Sequence, residues 1–238
     1  MNYMAWRQND EPLNGDYRYE VKFALPESSQ SLVTSWVRLH PAGFRQAYPP
    51  RQVNSLYFDS HDWGNLREQQ AGLAARSKLR LRWYGQDISR ADGMLELKGK
   101  RGVVGTKASC RVEPFDLAGT SWQEVCRHIA RQDLGPLAAA FATCRCPALL
   151  NHYRRQYYVS ADGEVRLTVD TRLAAYDQAT SPVPNLRRPL PACSAIVVEL
   201  KALACHGSRL QHIASQLPLR STAFSKYATG LCGVTDIF

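Results

Sequence analysis

The segment from Ala75 to Tyr84 constrains the fold most, because basic and apolar residues alternate along it. Successive side chains of a β-strand point to opposite faces, so its basic residues would share one face and Leu79, Leu81 and Trp83 the other. An exposed antiparallel strand with one wet, basic face is the simplest interpretation of this segment taken alone. The alternative is that the basic face lines a polar interior.

The same pattern recurs in four other segments, which combine β-strand character with charges at alternate positions: 18–22, 96–100, 166–170 and 199–201. Several such strands favour a shared polar interior. A barrel of roughly eight strands leaves room inside for side chains and one slender ligand. Because a buried unpaired ion costs several kcal/mol, cations that face one another require a lumen filled by water or by a polyanion.

Composition agrees with a single large β-rich domain. The 238 residues carry 30 Lys and Arg against 21 Asp and Glu, a formal net charge of +9. This charge predicts attraction to polyanions such as phosphates, nucleic acid or anionic lipid, without distinguishing among them.

Cysteine use and hydropathy indicate a reducing, aqueous location. The seven cysteines are irregularly spaced and form no paired CxxC units, which argues against a zinc site and favours reduced thiols. No run of residues reaches the length of a membrane span, and we expect a cytoplasmic protein. Residues 1–16 predict a loosely attached leader, followed by a single domain over 17–238.

Periodicity and turn signals predict an α+β fold. Strands are expected at 17–25, 51–59, 74–84, 93–100, 106–113, 151–160, 164–170 and 195–201. Helices are expected at 27–39, at 62–70 with Asp62 as N-cap, at 121–141, at 208–216 and at 222–231. Ser121 and Glu124 fit a capping box, and the four prolines of residues 180–193 predict a loop.

Eight motifs together resemble the VTC domain, the catalytic module of the vacuolar transporter chaperone polyphosphate polymerase within the triphosphate tunnel metalloenzymes. They are Arg18-Tyr-Glu-Val-Lys22-Phe, Ser55-Leu-Tyr-Phe-Asp59-Ser, Lys78-Leu-Arg-Leu-Arg82-Trp-Tyr84, Glu96-Leu-Lys98, Tyr153-Arg-Arg155, Arg166-Leu-Thr-Val-Asp170-Thr, Val198-Glu199-Leu-Lys201 and Ser225-Lys226-Tyr227. The resemblance covers residues 17–230 and implies an eight-stranded antiparallel β-barrel, a triphosphate tunnel with helices packed outside. This strand number equals the one predicted from periodicity.

The resemblance also implies a set of site residues. Its catalytic candidates are Arg80, Arg82, Lys98, Arg155, Arg166 and Lys201, and its phosphate-binding candidates are Lys22, Lys78, Lys107, Tyr153, Arg154, Ser225 and Lys226. Arginine grips phosphate oxygens in a bidentate manner, whereas lysine acts as a movable point charge. Arg154 and Arg155 remain alternatives, because the sequence does not define the register of their hairpin.

Carboxylates supply the expected metal site. By resemblance, Glu199 holds Mn²⁺ or Mg²⁺, and Glu20 and Glu96 are further candidate ligands, since oxygen donors suit both ions. The alternative for each is an internal salt bridge to a neighbouring lysine. Asp170 is expected to orient a tunnel arginine.

One departure from the family pattern bears on the reaction. Tunnel hydrolases typically begin with Glu-x-Glu-x-Lys, whereas this chain has Arg18 at the first acidic position. Loss of that carboxylate removes a metal ligand and favours transfer of the γ-phosphoryl group of ATP to a growing polyphosphate over hydrolysis. The alternatives are a hydrolase of tripolyphosphate, nucleoside triphosphate or thiamine triphosphate, and a non-catalytic module that binds polyphosphate or nucleic acid. Nucleic acid is not the expected partner, and any membrane partner would be a separate protein.

Overall fold

Eight strands alternate with short helices in the computed structural model, which describes residues 18–101, 104–191, 194–222 and 224–232. The strands are β1 (Arg18–Pro26), β2 (Arg45–Asp59), β3 (Ala75–Tyr84), β4 (Arg90–Arg101), β5 (Val104–Asp116), β6 (Cys146–Val159), β7 (Val165–Asp177) and β8 (Ala195–Leu203). The helices are α1 (Gln30–Leu39), α2 (Gly64–Gln70), α3 (Trp122–Ala130), α4 (Ala138–Thr143), α5 (Gly207–Ser215) and α6 (Lys226–Cys232).

All eight strands belong to one sheet, in the order β1-β8-β7-β6-β2-β3-β4-β5. Every neighbouring pair is antiparallel. The predicted α+β class and the eight-stranded antiparallel sheet with helices outside are therefore confirmed. The sheet is not closed by hydrogen bonds between its edge strands β1 and β5.

The sheet is strongly curled, as contacts between distant strands demonstrate. Lys98 on β4 and Lys201 on β8 repel each other electrostatically, although four strands separate β4 from β8 in the sheet order. Lys78 on β3 is likewise repelled by Lys22 on the edge strand β1. Such approaches require the two halves of the sheet to face each other across a lumen.

Apolar residues on the convex face of the sheet form the cores beneath the helices. Leu79, Leu81 and Trp83 of β3 pack with Val125 and Ile129 of α3 in one cluster. A second cluster joins β1, β7 and β8 to α1 and α5. The apolar face of the segment Ala75–Tyr84 is therefore the outer, helix-covered face, and its basic face lines the lumen.

The helices differ from the predicted ones in several places, and α6 begins at Lys226 instead of residue 222. The expected helix over 121–141 is interrupted by Gly135 in a left-handed conformation (φ 50°) and by Pro136, so α3 and α4 are separate. The capping box of Ser121 and Glu124 is confirmed. Asp62 does not cap α2, because the Asp59 carboxylate accepts the Asn65 and Leu66 backbone N–H groups instead, at 2.9 and 3.0 Å.

Most strands are longer than predicted. β2 begins at Arg45 instead of residue 51, and β7 continues to Asp177 instead of residue 170. The predicted leader over 1–16 lies outside the described residues. In the described part of the chain, no helix is both long enough and apolar enough to cross a membrane.

Candidate functional site

Charged side chains from seven strands and α6 line the concave face of the sheet. The charged residues that face the lumen include ten cations and four carboxylates: Lys22, Lys78, Arg80, Arg82, Lys98, Lys107, Arg155, Arg166, Lys201 and Lys226 with Glu20, Glu96, Asp170 and Glu199. The ten positive charges therefore exceed the four negative ones by six among these described residues. An excess of this size in a confined lumen favours a polyanionic ligand.

Glu96 organises the cations on the β3, β4 and β5 side of the lumen. Its Oε2 atom accepts hydrogen bonds from Arg80 Nε at 2.8 Å and Nη2 at 2.6 Å, and its Oε1 atom lies 3.1 Å from Lys107 Nζ. Burial alone would raise the pKa of Glu96, but Arg80 and Arg82 outweigh it and hold this pKa well below its usual range. Glu96 therefore stays ionised and orients Arg80.

Asp170 has the same function on the opposite side. It is fully buried, accepts hydrogen bonds from Arg155 Nε at 2.6 Å and Nη2 at 2.8 Å, and lies 2.6 Å from Lys226 Nζ. Burial would raise the pKa of Asp170, but the two cations lower it below its ordinary value. The bidentate contact holds the Arg155 guanidinium in place, as the sequence pattern predicts for Asp170.

Glu199 and Glu20 form a carboxylate pair between two lysines. Lys201 Nζ lies 3.0 Å from Glu199 Oε1 and 3.6 Å from Glu20 Oε2, and Lys22 pairs with both carboxylates. The two carboxylates therefore share the same two lysines. Burial would raise the pKa of Glu199, whereas Lys201 and Lys22 lower it far below the ordinary value.

This pair fits part of a divalent metal site. Two adjacent carboxylates disfavour simultaneous ionisation unless a cation compensates them, and their oxygens suit Mg²⁺ or Mn²⁺. However, no group of three or more His, Cys, Asp and Glu side chains that could hold a metal occurs in the described ranges. The metal site predicted at Glu20, Glu96 and Glu199 stays a prediction, in which Glu199 and Glu20 would hold the ion and Glu96 instead pairs with Arg80 and Lys107.

Two lysines in the lumen, Lys98 and Lys78, have no carboxylate partner among the described residues. Repulsion by Arg80, then burial and repulsion by Lys201, lower the pKa of Lys98 far below its ordinary value. Burial is the main cause that lowers the pKa of Lys78 to about 8, and its Nζ donates a hydrogen bond to Ser225 Oγ at 2.9 Å. Both ammonium groups would be stabilised by an anion.

The hairpin register decides between Arg154 and Arg155. Arg155 is buried in the lumen, whereas Arg154 is exposed on the opposite face of β6. The phosphate-binding position predicted for Arg154 is therefore corrected, because the alternation of side chains allows only one of two adjacent residues to face inward. Tyr153 also faces inward, and its hydroxyl accepts a hydrogen bond from Arg82 Nη2 at 3.2 Å.

Tyr57 is a lumen residue to which the sequence interpretation assigns no function. Its buried hydroxyl lies 3.4 Å from Arg80 Nη1, and its ring stacks on Tyr227 of α6 at a centroid distance of 5.0 Å. Burial would raise the pKa of Tyr57, but Arg80, Arg82 and Lys78 lower it to about 8. The signal available in the sequence was the position of Tyr57 two residues after Ser55 in an alternating strand.

A further cavity lies outside the lumen. It has a volume of about 860 Å³ and is lined by α3 and by the segments before β6 and after β7. We call it the α3 groove and define it by Trp63, Trp122, Arg127, Arg131 and Arg145. It shares no residue with the ten cations and four carboxylates of the lumen.

A curled antiparallel sheet with a basic, carboxylate-braced lumen defines the class of triphosphate tunnel proteins. The family model of the VTC domain matches residues 17–234, and the chain therefore belongs to the VTC domain family. This confirms the resemblance seen in the motifs. Membership supports an enzyme that acts on triphosphates.

Two solved structures are similar to this chain. A proposed adenylate cyclase from Vibrio parahaemolyticus is 13% identical, with a TM-score of 0.50, over 89% of this chain and 95% of that chain. HpAC1 is a proposed adenylyl cyclase from Hippeastrum for which a dominant triphosphatase activity is described. It is 16% identical, with a TM-score of 0.45, over 92% of this chain and 97% of that chain. No curated protein matches the sequence significantly.

Proposed function

We propose that this chain is a metal-dependent polyphosphate polymerase, which transfers the γ-phosphoryl group of ATP to the end of a polyphosphate chain inside the lumen. The observation that carries the proposal is the excess of ten lumen cations over four carboxylates. A hydrolase needs to neutralise one triphosphate, whereas a polymerase must hold a donor triphosphate and an acceptor chain together. Such an excess of cations suits the larger negative charge of a donor and an acceptor bound together.

The first position of β1 supports transfer over hydrolysis. Arg18 pairs through its backbone with Leu203 at the start of the strand, two residues before Glu20. A glutamate at this position would add a third carboxylate to Glu20 and Glu199, and its absence leaves fewer ligands for a metal that activates water. Attack by a phosphate oxygen needs no such activation, because that oxygen is already ionised.

In the proposed reaction, the terminal oxygen of the chain forms a bond to the γ-phosphorus of ATP, while the bond from that phosphorus to the β-γ bridging oxygen breaks. ADP leaves with the bridging oxygen and its electron pair. Arg80 and Arg155, held by Glu96 and Asp170, orient the two anions, and Lys98 and Lys78 neutralise charge on the transferred group. Glu199 and Glu20 would hold Mg²⁺ or Mn²⁺, which would supply further neutralisation of phosphate charge.

The test is product analysis with ATP and Mn²⁺ or Mg²⁺. ADP and orthophosphate are assayed separately, and chains are resolved on a gel before and after exopolyphosphatase treatment. The proposal expects ADP with a ladder of lengthening, exopolyphosphatase-sensitive chains. Orthophosphate without a ladder would establish a hydrolase, and binding without turnover would establish a polyanion-binding module; either result overturns the proposal.

Lys98→Met and Arg154→Met form a matched pair for this assay. Lys98 has no carboxylate partner among the described residues, so its removal relieves repulsion and leaves the fold intact, yet it should abolish chain growth. Arg154 carries the same charge on the outer face of β6 and should tolerate the substitution. Equal activity of the two variants would contradict the assignment of the lumen as the reaction site.

A further inference from the structure

Three tyrosines surround one arginine at an end of the lumen. The guanidinium carbon of Arg51 lies 4.7 Å from the ring centroid of Tyr84, 5.1 Å from that of Tyr157 and 6.0 Å from that of Tyr48. Tyr48 and Tyr157 also meet edge to face, with centroids 5.8 Å apart. We call Tyr48, Arg51, Tyr84 and Tyr157 the aromatic mouth.

The aromatic mouth continues directly from the charged lumen. Arg51 is the cross-strand partner of Arg155, and Tyr157 follows Arg155 by two residues on the same face of β6. Tyr84 follows Arg82 by two residues on the inner face of β3. A ligand that contacts Arg82 and Arg155 with its phosphates therefore reaches the aromatic mouth with its next group.

The aromatic mouth has surface to offer a ligand. The exposed fraction is 47% for Tyr84 and 40% for Tyr48, values that are high for large aromatic residues of a strand. The Nε atom of Arg51 is buried and has no hydrogen-bond partner in the part of the chain that the structure describes. Planar π-faces next to an arginine are the surfaces on which nucleobases stack, in a manner that tolerates different bases.

We propose that the aromatic mouth binds the base of a purine nucleotide whose triphosphate lies in the lumen. The proposal rests on the proposed function, since it assumes that the lumen holds the phosphates. It defines the direction of the donor: the base stays at the aromatic mouth, and the γ-phosphate lies deeper, near Arg80 and Lys98. Because stacking strength follows ring area, purine triphosphates should bind more tightly than pyrimidine triphosphates.

Isothermal titration in the presence of a chelator tests the proposal without turnover. ATP and inorganic tripolyphosphate are titrated into the wild type, Tyr84→Leu and Tyr19→Leu. Leucine keeps apolar bulk and removes the π-face. Tyr19 is a matched control, because its exposed fraction is 49% but its ring lies against Gly207 of α5, away from the aromatic mouth.

Base stacking contributes about 1–3 kcal/mol, so Tyr84→Leu should weaken ATP binding about 5- to 150-fold while the affinity for tripolyphosphate stays the same. Tyr19→Leu should bind both ligands like the wild type. Unchanged ATP affinity in Tyr84→Leu, or an equal loss for both ligands, would overturn the proposal. Failure of the proposed function can be distinguished from failure of this proposal. If only the proposed function fails, the wild type binds both ligands without building chains, and Tyr84→Leu still weakens the binding of ATP alone.

Discussion

Asp170→Asn should destabilise the protein strongly in the absence of ligand. The carboxylate is fully buried and neutralises two cations, Arg155 and Lys226, which it contacts at distances between 2.6 and 2.8 Å. The asparagine side chain keeps the shape and removes the charge. Breaking a buried ion pair by removing one partner costs about 3–5 kcal/mol, because the remaining cation is left uncompensated.

The expected change in melting temperature follows from the size of the domain. For 150–250 residues, 1 kcal/mol corresponds to about 2–4 °C, so Asp170→Asn should lower Tm by about 6–20 °C. Folding lowers the pKa of Asp170, so the charged carboxylate contributes stability above its unfolded pKa of about 3.9, and this contribution is lost as pH falls through the lower folded pKa. The difference between the wild type and the variant should therefore be full at pH 7 and shrink in acid.

The assay is thermal unfolding at pH 7 with and without tripolyphosphate. Asp62→Asn serves as control, because the pair of Asp62 with Arg67 is exposed and its loss should leave Tm nearly unchanged. Tripolyphosphate should raise the Tm of Asp170→Asn more than it raises the Tm of the wild type, since the ligand supplies the missing negative charge. If Asp170→Asn and Asp62→Asn have the same Tm, the Asp170 carboxylate does not stabilise Arg155 and Lys226, and the reasoning is refuted.

Three further predictions concern the lumen. Arg80→Glu and Arg82→Glu should each abolish tripolyphosphate binding in calorimetry, because they place a carboxylate among the phosphates; wild-type affinity in both would contradict the lumen assignment. Glu199→Gln should reduce metal-dependent turnover more than metal-free ATP affinity, and the opposite ranking would argue against Glu199 as a metal ligand. Tripolyphosphate affinity should fall as pH rises through about 8, where Lys78 loses its proton. The affinity of Lys78→Met should not fall in this pH range, and the same fall in the variant would show that another group causes it.

Strand number and the basic face were predictable from the sequence, because alternation with a period of two is a local property. The segment Ala75–Tyr84 carries both faces in its own residues, and burial of Leu79 and Leu81 by α3 follows the pattern. The capping box at Ser121 was predictable for the same reason. Features that depend on residues close together in the sequence can therefore be predicted from it.

Features that depend on register or on distant contacts were not predictable. Arg154 and Arg155 could not be distinguished, because a bulge between β6 and β7 after His152 shifts the pairing. The cap of α2 comes from Asp59 at the end of β2, so the nearer Asp62 was a misleading signal. The aromatic mouth brings together residues of β2, β3 and β6, and no local pattern connects Tyr48, Tyr84 and Tyr157.

The most direct test of the central claim is a crystal structure of the protein with tripolyphosphate and Mn²⁺. Our account predicts phosphate density along the lumen, with oxygens in contact with Arg80, Lys98 and Arg155 and the metal at Glu199. Phosphates bound in the α3 groove, at Arg127, Arg131 and Arg145, with none in the lumen, would contradict it.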